Sequence, residues 1–308
     1  MTYSIVARDP QTGELGVAVQ SHFFGVGSLV PWAEAGVGVV ATQSIVEPRY
    51  GREGLRMLRA GTAPAAALEA LLAADPGSAL RQVALLDAHG EAAVFTGASC
   101  IGHAGSAESP NARAQANLVA GPWVWMSMVE AFEAAAGSMA ERLLAALRAA
   151  ESHGGDLRGR QAAAIKVVRG QATGDLTVDL VTDLRVDDAD DPLDQLDRLV
   201  ERSTALGGLI RLLSTAGLLS GEFAASPDDV AASLAELERA QQILGPGNTE
   251  PTVWQGILLA RAGDADAARV AFARARAANP RVRELVTELA HAGMWTRPTD
   301  ELDALLPD

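Results

Sequence analysis

The chain has 308 residues, 48% of them apolar, and its 39 acidic against 25 basic side chains give a formal charge of −14. That length suits one large or two ordinary domains and excludes a miniature stapled scaffold, while so acidic a balance repels phosphate backbones, so neither nucleic acid nor membrane is an expected partner. The single cysteine, Cys100, excludes an intrachain disulfide and any multi-thiolate metal site; with no secretory signal and no apolar run near about 20 residues, the expectation is a soluble cytoplasmic protein.

Strands come first. Leu15, Val17 and Val19 alternate in Leu15-Gly16-Val17-Ala18-Val19-Gln20, the period of a strand with one apolar face. Ser4 to Arg8 is its expected antiparallel partner across Asp9-Pro10-Gln11-Thr12-Gly13, where Pro presets one turn dihedral and Gly permits positive φ. A third strand is expected at Val37 to Gln43, after the Phe24-Gly25-Val26-Gly27 loop and Pro31-Trp32. Helical spacing then joins Tyr50, Leu55 and Leu58 and, past Gly61, Leu68, Leu71 and Leu72, with Thr62 expected to cap the second helix and Pro64 in its first turn. Val83, Leu85, Ala92 and Val94 flank the turn-like Asp87-Ala88-His89-Gly90, a second hairpin. Two helices follow Pro122; Ser138 and Glu141 match a reciprocal capping box for the second, and Gly154-Gly155 ends it. Ala162 to Val168 and Leu176 to Val181 read as a third strand pair.

Paired strands joined by tight turns, alternating with paired helices, point to antiparallel sheets covered by helical layers rather than a doubly wound parallel sheet. Past Leu184 the composition changes, because Asp187, Asp188, Asp190, Asp191, Asp194, Asp197 and Glu201 stand against Arg198 alone. Residues 1–186 are therefore read as the first domain, 187–205 as an acidic linker and first helix opening near Pro192, and 206–308 as a helical domain. The acidic run lacks the regular spacing and the glycine of a calcium loop, and reads as a solvated segment. Gly256, Ala268, Phe272, Ala275 and Pro280 follow the small-small-aromatic-small-Pro core of a tetratricopeptide repeat, and Ser233, Leu237 and Ala240 repeat part of it about 34 residues earlier. Fewer than about three such repeats seldom bury enough surface alone, so this region is expected to dock on the first domain or on another chain.

No cofactor or metal is expected. His22, His89, His103, His153 and His291 are scattered without metal-site spacing. Gly36-Val37-Gly38 opens a strand, whereas a dinucleotide turn follows one and opens a helix; Lys166 has no phosphate-loop glycines before it, and Ser99 lies outside a Gly-x-Ser-x-Gly elbow. Thr2 is different because of its position. Removal of Met1 would leave it with a hydroxyl nucleophile and a free α-amine whose pKa, about 7.7–8.0, suits a general base. Ser4, two positions on, falls on the same strand face.

Thr2-Tyr3-Ser4-Ile5-Val6-Ala7-Arg8-Asp9, Gly13-Glu14-Leu15-Gly16-Val17-Ala18-Val19, Val30-Pro31-Trp32-Ala33, Ala35-Gly36-Val37-Gly38 and Ala41-Thr42-Gln43 form one set of motifs. Pro48-Arg49-Tyr50-Gly51, Gln115-Ala116-Asn117 and Gly155-Asp156-Leu157-Arg158-Gly159-Arg160-Gln161 complete it. Together, over roughly residues 1 to 190, they resemble the prokaryotic family called domain of unknown function 1028. That family in turn resembles the N-terminal-nucleophile (Ntn) hydrolases, which implies an α+β fold, a four-layer αββα sandwich of antiparallel sheets, here followed by a smaller all-α helical-hairpin region like tetratricopeptide repeats.

The resemblance implies an amidohydrolase cleaving C–N bonds other than peptide bonds in a small amide-like substrate, with Thr2 as nucleophile and its own amine relaying the proton. Val37 to Gln43 carries none of the lysine that proteasome-type relatives use. Asn117 is the candidate oxyanion donor, with a turn residue as its structural alternative. Asp156 and Arg158 would orient substrate charge, or form a salt link; Ser4, Gln43 and Ser44 are further candidates for the substrate cleft. A homo-oligomer is expected. The alternative is a catalytically silent Ntn-like domain acting as a binding or assembly protein, with a protein partner on its helical C-terminal region.

Overall fold

The computed structural model describes residues 2–295 and 299–306, and the chain divides into two compact units between Val200 and Glu201. Among the described residues no helix is long and apolar enough to cross a membrane.

In the first unit, β1 (Thr2–Arg8) turns back through Gly13, at φ +77°, into β2 (Leu15–Ser21), antiparallel to it. The chain then crosses to a second sheet with β3 (Pro31–Glu34) and β4 (Gly38–Ser44), and covers it with α1 (Arg49–Arg59) and α2 (Pro64–Ala73). β5 (Arg81–Asp87) and β6 (Ala92–Thr96) complete that sheet in the order β3-β4-β5-β6. β7 (His103–Glu108) and β8 (Ala112–Val119) return to the first sheet, and α3 (Trp123–Ala134) and α4 (Met139–Ser152) pack over it. β9 (Ala162–Val168), the single turn α5 (Leu176–Asp179) and β10 (Leu180–Val186) finish the sheet as β10-β9-β2-β1-β8-β7. The opening of α6 (Pro192–Ser214) adds Leu193, Leu196 and Val200 to this unit's core.

Strand alternation sorts side chains into layers. Tyr3, Ile5 and Ala7 of β1 pack with Met128 and Phe132 of α3 and with Leu143 and Leu147 of α4. Val6 faces the other way and meets Val17, Val19, Val39 and Leu86 between the sheets. Val40, Val83 and Leu85 turn the far face of the second sheet onto Tyr50 and Leu55 of α1 and Leu68 and Leu71 of α2. The layers therefore run helix, sheet, sheet, helix. The unit is α+β with two antiparallel sheets, as expected.

Several elements depart from the sequence reading. The β7–β8 pair was not anticipated, because β8 alternates small alanines with polar residues and β7 is a partly exposed edge. Leu176 to Asp179, expected as strand, forms a helical turn. Asp175 accepts the Thr177 N–H at 2.9 Å, and Asp179 accepts those of Thr173 and Gly174 at 2.7 and 3.1 Å, which holds the loop closed until Leu180. The N-cap of α2 is Ala63, without a side-chain cap, rather than Thr62. The Ser138–Glu141 capping box is present at α4.

The second unit is helical: the remainder of α6, then α7 (Pro227–Leu244), α8 (Glu250–Arg261), α9 (Ala265–Ala278), α10 (Val282–His291) and α11 (Thr299–Leu305). Its core gathers Leu237, Trp254, Ile257, Phe272 and Val286. A Cβ at Gly256 would stand 2.6 Å from the Phe272 ring, so the absence of a side chain there is what lets α8 and α9 approach. Ser226 and Asp229 form a second capping box, at the start of α7.

Candidate active site

The face of β1 that carries Val6 also carries Ser4 and Thr2, so the strand's first residue is turned into the space between the sheets. At this end of the sandwich the inter-sheet layer changes from valine and leucine to buried polar groups: Thr2, Ser4, Ser21, Gln43, Gln82, Gln115 and Asn117. The amides cross the gap. Gln82 Oε1, from the second sheet, accepts Gln43 Nε2 at 2.8 Å and Asn117 Nδ2 at 3.0 Å. Gln82 Nε2 donates to the Ala116 carbonyl at 2.9 Å, and Gln43 Nε2 lies 3.2 Å from the Thr2 carbonyl oxygen, so the second sheet holds the start of β1 directly. On the opposite face, Tyr3 Oη donates to Glu151 at 2.8 Å; burial first, then the Glu151 carboxylate, raises its pKa well above the ordinary 10.0 and keeps it a donor. The start of β1 is thereby held from both layers.

Buried Gln43 Oε1 and Gln115 Oε1 have no protein partner. Each such group costs on the order of 1–3 kcal/mol, which an apolar layer would not carry. A polar layer kept at that cost is the pattern expected of a functional site.

A cavity of about 240 Å³ opens onto this layer. Thr2, Ser21, Gln43, Ser44, Asn117 and Arg158 line its polar side, and residues including Val26, Val30, Ile45, Val46, Ile101 and Leu118 its apolar side. Two local backbone features shape it. Register in the β7–β8 ladder shifts between His103 and Gly105, opposite Val119 and Ala116, which puts a bulge at Asn117–Leu118. Neighbours on a regular strand point to opposite faces, whereas the bulge, with Leu118 at φ +51°, lets both line one cavity. Ser44, at the end of β4, has φ +72°. These two are the non-glycine residues with positive φ among the described residues, and both line this cavity, where stored backbone strain is typical of a ligand site.

The loop after α4 supplies the charge. Asp156 forms a bridge with Val119 of β8, accepts the His22 N–H at 2.9 Å, and accepts Arg158 Nη2 at 3.2 Å. Its side chain is fully buried, so a short segment past Gly155 is pinned to the ends of β2 and β8. Arg158 Nη2 then reaches Ser21 Oγ at 3.3 Å, and the Ser21 and Thr2 hydroxyl oxygens lie 3.0 Å apart.

Of the residues singled out from sequence, Thr2, Gln43, Ser44, Asn117 and Arg158 come together around the cavity. Ser4 lies one row deeper, buried, where it accepts Gln115 Nε2 at 3.3 Å; Asp156 stands behind Arg158 and positions it. Met1 lies outside the described residues. Sequence reasoning missed Ser21 and Gln82. Alternation from Val17 and Val19 places Ser21 on the inter-sheet face, so its signal is present in the sequence; Gln82 directly precedes the apolar run Val83-Ala84-Leu85-Leu86, which masks it. Among the described residues no group of three or more His, Cys, Asp or Glu side chains is arranged to hold a metal ion.

A helix-flanked pair of antiparallel sheets with a small cavity at the strand ends defines an α+β protein whose candidate site is built on its two central sheets. The chain belongs to the family of unknown function DUF1028, whose model matches residues 2–196. It is similar to the crystal structure of protein SPO2555 from Silicibacter pomeroyi, of the same family, with 33% identity and a TM-score of 0.60 over 66% of this chain and 89% of that one. Among curated proteins none matches. The family match ends within α6, so the helical unit lies beyond it.

Proposed function

We propose that the first unit is an Ntn-type amidohydrolase acting on a small amide, with Thr2, once Met1 is removed, as its nucleophile. The observation that carries the reading is the Thr2 side chain itself: it lines a cavity from the first position of a central strand, on the same face as a buried amide network. The free α-amine accepts the Thr2 hydroxyl proton as Oγ1 attacks the carbonyl carbon, then returns it to the departing nitrogen; water cleaves the resulting ester. Ser21, 3.0 Å away, orients the hydroxyl. Asn117 spends one amide N–H on Gln82 and has a second for the developing oxyanion. The cavity is smaller than the roughly 300–1,000 Å³ of drug-sized sites, which supports a small substrate. The test is a screen of small amides with the wild type and Thr2→Ala, each with its amino terminus verified by mass. Turnover by the wild type alone is expected, and full turnover by Thr2→Ala would exclude Thr2.

A further inference from the structure

Two features of the cavity remain unused by that reading: its wall is mostly apolar, and one charged side chain lines it. Val26 and Val30 are 2% and 3% exposed and form the inner part of the wall, while Phe23, Ile45 and Ile101 are about half exposed and carry it out to the rim. Arg158, with 39% of its side chain exposed, is the charged lining residue. Asp156 holds it through Nε and Nη2, at 3.4 and 3.2 Å, from a fully buried position outside the lining. A guanidinium stays charged at any working pH and its planar fork matches a carboxylate, so an Arg fixed at a cavity mouth is suited to an anion. Among the described residues the lining holds no carboxylate that offers a place for a cation.

The order of the groups sets the order of the substrate's parts. The Ser21 hydroxyl links the Thr2 hydroxyl to the guanidinium, with oxygen–oxygen and nitrogen–oxygen distances of 3.0 and 3.3 Å. An anion at Arg158 must therefore lie close along the substrate to the carbonyl that Thr2 attacks. In an N-acyl α-amino acid only the nitrogen and the α-carbon separate the carboxylate from that carbonyl. The acyl group stays on the enzyme as the ester while the amine leaves, so the acyl group suits the buried apolar wall and the amine the half-exposed Arg158.

Resting on the proposed Thr2 chemistry, we infer that the substrate class is the N-acyl α-amino acids with a short apolar acyl group. The amide C–N bond breaks, and one water adds across it to give a free carboxylate and a zwitterionic amino acid. No other reactant is needed. Arg158 is then the specificity residue for the carboxylate.

The test separates ligand class from chemistry by measuring both, on the full chain. Binding of N-hexanoylglycine and of its neutral carboxamide is measured by calorimetry with Thr2→Ala, and hydrolysis of both with the wild type. The account predicts at least about tenfold tighter binding of the carboxylate, with a matching preference in kcat/KM. Arg158→Gln, checked for an unchanged melting temperature, is predicted to erase the preference mainly through KM, and Arg158→Lys to restore part of it. Equal binding of acid and carboxamide overturns the inference even if both are hydrolysed, and leaves Thr2 as nucleophile. A preference for a substrate with the carboxylate on the acyl part and an apolar amine overturns it equally. Selective binding of the acid without turnover upholds the ligand class and removes the nucleophile instead.

Discussion

Thr2 and Asn117 are direct partners in the β1–β8 ladder, and both side chains line one cavity. The pair joins the first residue of β1 to the bulge of β8, and Gln82 from the second sheet fixes the Asn117 amide at 3.0 Å. In the proposed mechanism Thr2 is the nucleophile and Asn117 the oxyanion donor, and a shared ladder position between two central strands would hold them at fixed separation more rigidly than loops can.

Removing the hydroxyl gives the sharpest kinetic expectation. Thr2→Ala is predicted to lower kcat by at least about 10³-fold, whereas Thr2→Ser keeps a hydroxyl and an amine and stays within about tenfold. Steady-state rates on any substrate that the wild type turns over make the comparison. Equal losses in the two variants would assign the effect to folding rather than to the hydroxyl.

Asn117→Ala is predicted to cost about 10² to 10³ in kcat with a smaller change in KM, as expected for a donor used in the transition state. A rise in KM alone would make Asn117 a binding group and move the oxyanion site elsewhere.

Gln82 touches no substrate in this account, yet it accepts from both Gln43 and Asn117. Gln82→Met keeps the bulk but removes the acceptor shared by Gln43 and Asn117 together with the donor to the Ala116 carbonyl. The predicted loss is about 1–3 kcal/mol of stability by denaturant melts, together with reduced kcat. Unchanged stability would mean that the amide network repacks.

Acid stability tests the second sheet's support. Asp75, buried beside Arg81 at 2.8 Å, has its pKa lowered from 3.8 to about 2, chiefly by the Arg81 hydrogen bond and also by Gly77 N–H and Tyr50 Oη, against the cost of burial. A depressed carboxylate stabilises the fold above its unfolded pKa, near 4, and that contribution fades as pH falls through about 2. It amounts to roughly 2 kcal/mol. Chemical denaturation from pH 7 to 2 should show wild type losing stability below about pH 4, and Asp75→Asn lacking that part of the slope.

Gly256 offers a test confined to the helical unit. Gly256→Ala drives a methyl into the Phe272 ring and is predicted to destabilise by about 1–3 kcal/mol, despite the better helix propensity of alanine. Thermal melts of wild type and variant decide it; a rise in Tm would show that α8 and α9 can part without loss.

Much of the first unit was legible because its core strands carry period-two valines and its turns carry Pro and Gly in fixed roles, as in Asp9 to Gly13. β8 was not legible, since Ala112, Ala114 and Ala116 bury a face too small to stand out and Gln115 and Asn117 fill the other. The site followed the same division. Thr2 was visible from its position and Arg158 from its motif, whereas the cavity depends on a bulge at Leu118 and a positive φ at Ser44, which no spacing rule reveals. Ser4 shares a strand face with Thr2, but the cavity stops one row short of it.

The central claim is that Thr2 is the nucleophile, and intact-mass and peptide mapping after exposure to an acylating β-lactone test it most directly. The account predicts protein lacking Met1 and a single acyl adduct on Thr2, absent from Thr2→Ala. Quantitative retention of Met1 with no adduct on Thr2 would contradict it.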